Sequence, residues 1–347
     1  MITTHIADYF SLTKPKVVIL LQITAICAVI VNDSLEGSTF EDSIETMLLV
    51  LVGGFLTAGG ANAINMWYDR DIDPKMKRTA GRAIPSGRVK PESALVFGIS
   101  ISIMGVIWFH VMTNDVAAFW SAFSILFYVL IYSMWLKRST SQNIVIGGIA
   151  GSTPPVIGWA ASVEGLSISN QSLKASLESV IDLGSPIPWF MFILIFLWTP
   201  PHFWALALYR SEEYGEVGIP MLPNVKGPER TIIEMKVYSI LLILLSLIAP
   251  VSFGEIEVND RGYHALRWTI LGLSVWYAST VWRIDISEEP DETGRISSAA
   301  SSFLVSMIYL ALMFVVLVTG SFGQIGTAVG AVIAIAFIGR SVFKVSA

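Results

Sequence analysis

Apolar residues in this chain gather into long runs, and polar residues are concentrated between them. The runs lie near 17–32, 46–66, 94–113, 117–136, 143–162, 188–208, 236–253, 266–283, 299–320 and 324–342. A helix needs about 20 mainly apolar residues to cross a bilayer, and lipid gives an open backbone no hydrogen-bond partners. The pattern predicts an all-α fold, a polytopic transmembrane helical bundle of about nine spans. The Gly- and Ala-rich run 324–342 is a tenth candidate. No repeat and no soluble segment interrupts the series, so 1–347 reads as one integral-membrane domain. The long link 163–187 is Ser-rich and sparsely charged, which predicts a surface insertion.

Composition agrees with this reading. Hydrophobic residues make up 54% of the chain and charged residues 14%, against the roughly 25% charge of a soluble domain. A net charge of −5 offers no basic footprint, so nucleic acid is not an expected partner. The single cysteine, Cys27, excludes an internal disulfide and a cysteine-based metal site. The first 13 residues hold Asp8 and no Lys or Arg, unlike a cleavable signal or an Arg-rich transit peptide.

Charge also sets an orientation. With the N-terminus cytoplasmic, nineteen of the 22 Lys and Arg fall on the inner side and only Lys174, Arg261 and Arg267 outside, as the positive-inside rule requires. The expected location is the cell membrane. Three inner segments are long and rich in charge: 67–93, 209–235 and 284–298. Polar chemistry at the inner face should come from them.

The strongest chemical signal is Asn62-x-x-Asn65-x-x-x-Asp69-x-x-x-Asp73, where the second span reaches the inner face. Four-residue steps on a helix drift by only about 40°, so the spacing predicts one oxygen-rich stripe. Carboxylates four apart at a membrane boundary need compensation. Mg²⁺ suits such a stripe, because it uses one or two carboxylates together with substrate phosphates. The plainer alternative is a set of solvated acids paired with Arg70, Lys75 and Lys77. Lys77, Arg78, Arg82, Arg88 and Lys90 follow directly. Guanidinium groups there suit phosphate oxygens, so the two parts together describe a diphosphate site.

The stretch Asn65–Arg82, NMWYDRDIDPKMKRTAGR, resembles the first Asp-rich motif of the UbiA superfamily of intramembrane prenyltransferases. Its detail is similar to the haem O synthase branch. So are Leu12–Lys16 (LTKPK), Tyr132–Arg138 (YSMWLKR), Asn143–Trp159 (NIVIGGIAGSTPPVIGW), Trp198–Trp204 (WTPPHFW) and Gly218–Pro223 (GIPMLP). The likeness covers about residues 8–320 and leaves 163–187 and the apolar tail 321–347 outside it. It implies a bundle around a central cavity that opens to membrane lipid. It implies transfer of a farnesyl group from farnesyl diphosphate to the 2-vinyl group of haem B, with Mg²⁺ as cofactor. The product would pass to haem–copper oxidase assembly, directly or through a haem A synthase.

On that footing Asn65, Asp69 and Asp73 are the expected metal ligands, and Asp69, Asp73, Arg78, Arg82 and Lys137 the expected catalytic set. Asn62, Asn65, Tyr132, Arg138, Asn143, His202 and Glu213 are the expected substrate contacts. Several of these carry alternatives, Lys137 and Arg138 among them as a snorkelling pair that serves topology. A second Asp-rich motif common in the superfamily is replaced here by Glu212, Glu213 and Glu216, which read equally as solvated loop acids. His202 follows Pro200-Pro201 inside an apolar span. It could ligate haem iron, bond a propionate, or satisfy a carbonyl freed where the prolines disturb the helix. Asn143 could be an N-cap or a ligand contact. The competing functions are prenylation of a quinone precursor or lipid head group, ion transport, and haem chaperoning.

Overall fold

A computed structural model describes residues 2–209, 218–252, 260–288 and 296–345. Helices dominate, and there is no strand among the described residues. The helices are α1 (Ile2–Leu12), α2 (Pro15–Glu36), α3 (Phe40–Tyr68), α4 (Pro91–Met112), α5 (Asp115–Leu126), α6 (Asn143–Ser152), α7 (Pro154–Ser162), α8 (Leu173–Ile181), α9 (Ile187–Tyr209), α10 (Leu222–Lys226), α11 (Pro228–Ser252), α12 (Asp260–Trp282), α13 (Ser297–Ser321) and α14 (Gly323–Val345). Among the described residues nine helical stretches are long and apolar enough to cross a membrane.

The chain forms two compact units interleaved in sequence. The first comprises residues 1–29, 39–184 and 212–220, and the second comprises 30–38, 185–211 and 221–347. In the first, α3 and α4 cross with glycine on both sides. A Cβ at Gly60 would lie 2.7 Å from the Gly98 carbonyl oxygen, and one at Gly98 would lie 3.0 Å from that of Gly60. Gly53 and Gly105 stand one heptad away on the same two helices and are equally crowded. Without a hydrophobic drive between helices in lipid, close backbone approach of this kind supplies the packing. Gly60→Val should therefore destabilise the fold by about 1–3 kcal/mol, the usual cost of overpacking, read as a lowered melting temperature.

The insertion 163–187 is more ordered than a Ser-rich surface loop. It carries α8, and the indole N–H groups of Trp120 and Trp159 donate to the Val180 and Leu183 carbonyls at 2.8 and 3.1 Å.

The second unit corrects one expectation. Gly323–Arg340, the tenth candidate, is among the nine stretches long and apolar enough to cross; α12, which covers most of the run 266–283, is less apolar than these. Asp260, Arg261 and Arg267, together with Thr269, Ser274, Ser279 and Thr280, dilute the apolar content of α12. Its 23 residues still reach ~35 Å. Its polarity is absorbed inside the unit, where Ser274 bonds Ser246 at 2.6 Å and the Tyr309 hydroxyl at 3.0 Å. The correction concerns Pro200 and Pro201, which lie within an unbroken α9.

Candidate active site

The site grows from the end of α3. The expected acidic stripe is not one continuous helix. α3 stops at Tyr68, and Asp69 caps it by donating its backbone N–H to the Asn65 carbonyl. Short 3₁₀ turns follow at Asp69–Asp71 and Asp73–Lys75. Pro74, which has no N–H to donate, sits in the second of these turns. The segment 76–90 then turns back, anchored by the Thr79 hydroxyl donating to the Asp73 carbonyl at 2.8 Å. This return, rather than helical periodicity, sets Arg82 on Asp73.

Asp69 and Asp73 are buried, with 1% and 3% of their surface exposed. Asp69 Oδ2 accepts from Lys137 Nζ and from Asn65 Nδ2, the latter at 3.1 Å. Asp69 Oδ1 is buried and has no hydrogen-bond partner among the described residues; Arg138 Nη2 stands 3.6 Å away. Arg82 meets both Asp73 oxygens through the single nitrogen Nη1, at 2.9 and 2.8 Å. Its remaining donors are thus not spent on Asp73.

Asn65 uses its whole amide. Nδ2 also donates to Ser133 Oγ at 3.0 Å, and Oδ1 accepts from Lys14 Nζ at 2.7 Å. Lys14 is the site residue that sequence reasoning missed. It sits in the elbow between α1 and α2 and is the sole non-glycine residue with positive φ, 51°, among those described. Burial, then the Arg82 and Lys137 charges, push its ammonium down to about 7 against the pull of Asp69 and Asp73. Arg82 and Lys137 thus offset the two buried acids, and Lys14 adds a third, partly protonated amine. That balance favours an added anion.

Ser133 was also missed as a site residue. It lies where α5 continues as a π-helix over Phe127–Trp135 before a last turn at Leu136–Arg138. The wider winding belongs with functional segments. Ser133 Oγ donates to the Tyr128 carbonyl at 2.8 Å and so is fixed to receive Asn65.

The other expected residues divide. Arg138 forks onto Asp71 with two bonds of 2.7 Å and lies over the Tyr68 ring at 4.8 Å. Asn62 donates to the Thr13 carbonyl at 3.2 Å, with the Tyr128 hydroxyl at 3.5 Å, and so braces the elbow that carries Lys14. Tyr132 stacks on Tyr128 with ring centres 5.5 Å apart and lies against Gly147. Asn143 gives its amide to the Thr140 and Pro220 carbonyls at 2.6 and 3.3 Å, a tie between segments. Arg78 does not join Arg82: it is exposed, without an ion pair among the described residues. The four-residue spacing has no meaning there, because the segment is turns rather than helix. Glu213 lies outside the described residues.

His202 is packed within the second unit. Its ring stacks between Trp198 and Phe303, with centres 4.2 and 4.7 Å away, and Nδ1 meets Ser306 Oγ at 2.5 Å. It does not cap a carbonyl freed by the prolines.

Among the described residues no three His, Cys, Asp or Glu side chains form a metal cage. What is present is two carboxylates and an amide, with one carboxylate oxygen left over. That set fits Mg²⁺, which takes few carboxylates and completes its shell with water and phosphate.

Comparison with known proteins agrees with this chemistry. The chain is 41% identical over 325 residues to protoheme IX farnesyltransferase of Beijerinckia indica subsp. indica, covering 94% of this chain and 91% of that protein. It is 42% identical over 308 residues to the protein of the same name from Sinorhizobium fredii, covering 88% and 86%. Its fold matches a structure of digeranylgeranylglyceryl phosphate synthase with a TM-score of 0.68 at 17% identity, over 92% of this chain and 99% of that one. A UbiA homologue from Archaeoglobus fulgidus, bound to DMAPP and Mg²⁺, matches with a TM-score of 0.57 at 16% identity, over 89% and 99%. The profile of the UbiA prenyltransferase family matches residues 23–291, and the chain belongs to that family.

Proposed function

We propose that the chain transfers a farnesyl group from farnesyl diphosphate to the 2-vinyl group of haem B, giving haem O and diphosphate. The observation that carries this is the likeness to protoheme IX farnesyltransferases across about nine-tenths of both chains. The buried acid–cation cluster at the end of α3 supports it independently.

In this reading Asp69 and Asp73, with Asn65 assisting, hold Mg²⁺. When bound, the ion supplies Lewis-acid polarisation of the diphosphate oxygens. Lys14, Arg82 and Lys137 line the diphosphate and stabilise the charge that gathers on the leaving oxygen; Arg138 stands at the edge. The allylic C1–O bond breaks, and its electron pair leaves with the diphosphate. The vinyl terminal carbon bonds to farnesyl C1, and water captures the resulting cation beside the porphyrin. Loss of a proton leaves a hydroxyethylfarnesyl group. No protein nucleophile is needed, and water must be kept from the farnesyl cation until the new bond forms.

The chain resides in the cell membrane with its N-terminus and the site cytoplasmic. Haem–copper oxidase assembly takes the product, directly or through a haem A synthase. Cells that make haem B but no haem O test the function. Expressing this chain there should yield an extracted haem heavier by one farnesyl and one hydroxyl group, and an unchanged haem pool would refute the proposal. Cysteine labelling, after replacement of Cys27, should find position 80 accessible only from the cytoplasmic side. Labelling from outside would reverse the orientation.

A further inference from the structure

The hydrogen bonds of Ser306 fix which nitrogen of His202 carries the proton. Ser306 Oγ lies 2.6 Å from the Phe303 carbonyl oxygen and 2.5 Å from His202 Nδ1. Two oxygens at 2.6 Å need a proton between them. The carbonyl has none to give, so the single Ser306 proton is committed there. The contact with Nδ1 then needs a second proton, and only the imidazole can supply it. His202 is therefore the Nδ1–H tautomer, and Nε2 bears the lone pair.

Nε2 has no hydrogen-bond partner among the described residues. Nor is it sealed away, as the indole nitrogen of Trp204 and the hydroxyl of Tyr277 are. The residue as a whole is 7% exposed. It cannot turn freely, because Trp198 and Phe303 stack on its two faces. Trp198 is itself tied down by its indole N–H, which donates to the Ser306 carbonyl at 2.8 Å. A neutral imidazole with one nitrogen held by a hydrogen bond and the other presented as a lone pair is the ligating form of histidine.

We propose that Ser306 is a positioning residue which holds His202 in the Nδ1–H tautomer, so that His202 Nε2 ligates the iron of the haem substrate. The inference rests on the haem reading above and chooses iron over a propionate as the contact. A propionate needs an N–H donor, and the presented nitrogen has none. One axial bond fixes the porphyrin centre and one of its faces while leaving the vinyl groups at the rim unencumbered.

The test is a haem titration of the full-length purified protein in detergent, followed by absorption and electron paramagnetic resonance. Wild type should show an imidazole-ligated haem. His202→Ala should lose that signature and regain it with added imidazole. Ser306→Ala should weaken haem binding about 10- to 100-fold, the usual effect of removing a ligand's outer partner, while Mg²⁺-dependent binding of farnesyl diphosphate is unchanged. Ser306→Thr, which keeps the hydroxyl, should restore haem affinity; a merely steric role for Ser306 would not predict that rescue. An identical spectrum in wild type and His202→Ala would overturn the inference and leave the haem reading standing. So would equal haem affinity and spectrum in Ser306→Ala. A wild-type protein that binds farnesyl diphosphate but no haem would overturn both.

Discussion

Asp69→Asn should leave the helices standing and slow prenyl transfer by about two to three orders of magnitude, the scale of losing one preorganised electrostatic contact to a transition state. The substitution keeps side-chain size and an acceptor for Lys137. It removes the charge and the one buried carboxylate oxygen of the site with no hydrogen-bond partner among the described residues. Asp73→Asn should lower turnover similarly but also cost stability. Both Asp73 oxygens hold Arg82, and breaking a mostly buried charge pair leaves a cation without its partner. Turnover at saturating Mg²⁺ and thermal melting on the same preparations separate the two. Near-normal turnover in Asp69→Asn at excess Mg²⁺ would remove this carboxylate from the metal site.

Lys14→Met should reduce kcat/KM for farnesyl diphosphate by about 100-fold with little change in haem binding. Methionine keeps the length and apolarity of the stem, so packing at the elbow survives. The lost group is an ammonium held against Asn65, beside Arg82 and Lys137. A cation crowded by other cations is unfavourable until an anion arrives, so much of its interaction with the diphosphate is realised in the complex. Asn65 Oδ1 would lose its donor, at about 1 kcal/mol of stability. Calorimetric titration with farnesyl diphosphate and Mg²⁺ gives the affinity directly. Unchanged affinity would reduce Lys14 to a brace for Asn65.

The spans were legible because uninterrupted apolar character is all that a lipid environment asks of a helix. The stretch 266–283 is diluted by polar residues, and that polarity is masked by bonds such as Ser274 to Ser246 that pair residues 28 apart. The acidic residues of the site were legible from spacing, although the geometry that unites them was not. Helical periodicity predicted a stripe through Asp73, whereas the regular winding ends at Tyr68 and a returning loop brings Arg82 to Asp73. The same break scatters Arg78 away from Arg82.

Lys14 was invisible for a different reason. It precedes Asn65 by 51 positions, and nothing in its local sequence marks it out among the lysines of the chain. Its signal was the Lys14-Pro15 elbow, where a helix must end and a new one begin, a place where strained backbone directs a side chain inward. Ser133 left no signal at all, since no local pattern announces a π-helix from Phe127 to Trp135. His202 was singled out correctly as an ionisable residue in an apolar span. Its partner Ser306 lies 104 residues on, beyond any sequence rule.

The central claim is the pairing of one donor with one acceptor. The purified chain should be given farnesyl diphosphate, Mg²⁺, haem B and an aromatic quinone precursor together, and the products read by mass spectrometry. The account predicts a haem heavier by one farnesyl and one hydroxyl group, formed only when farnesyl diphosphate and Mg²⁺ are both present, with the quinone precursor unaltered. Prenylated quinone precursor beside unmodified haem would contradict it.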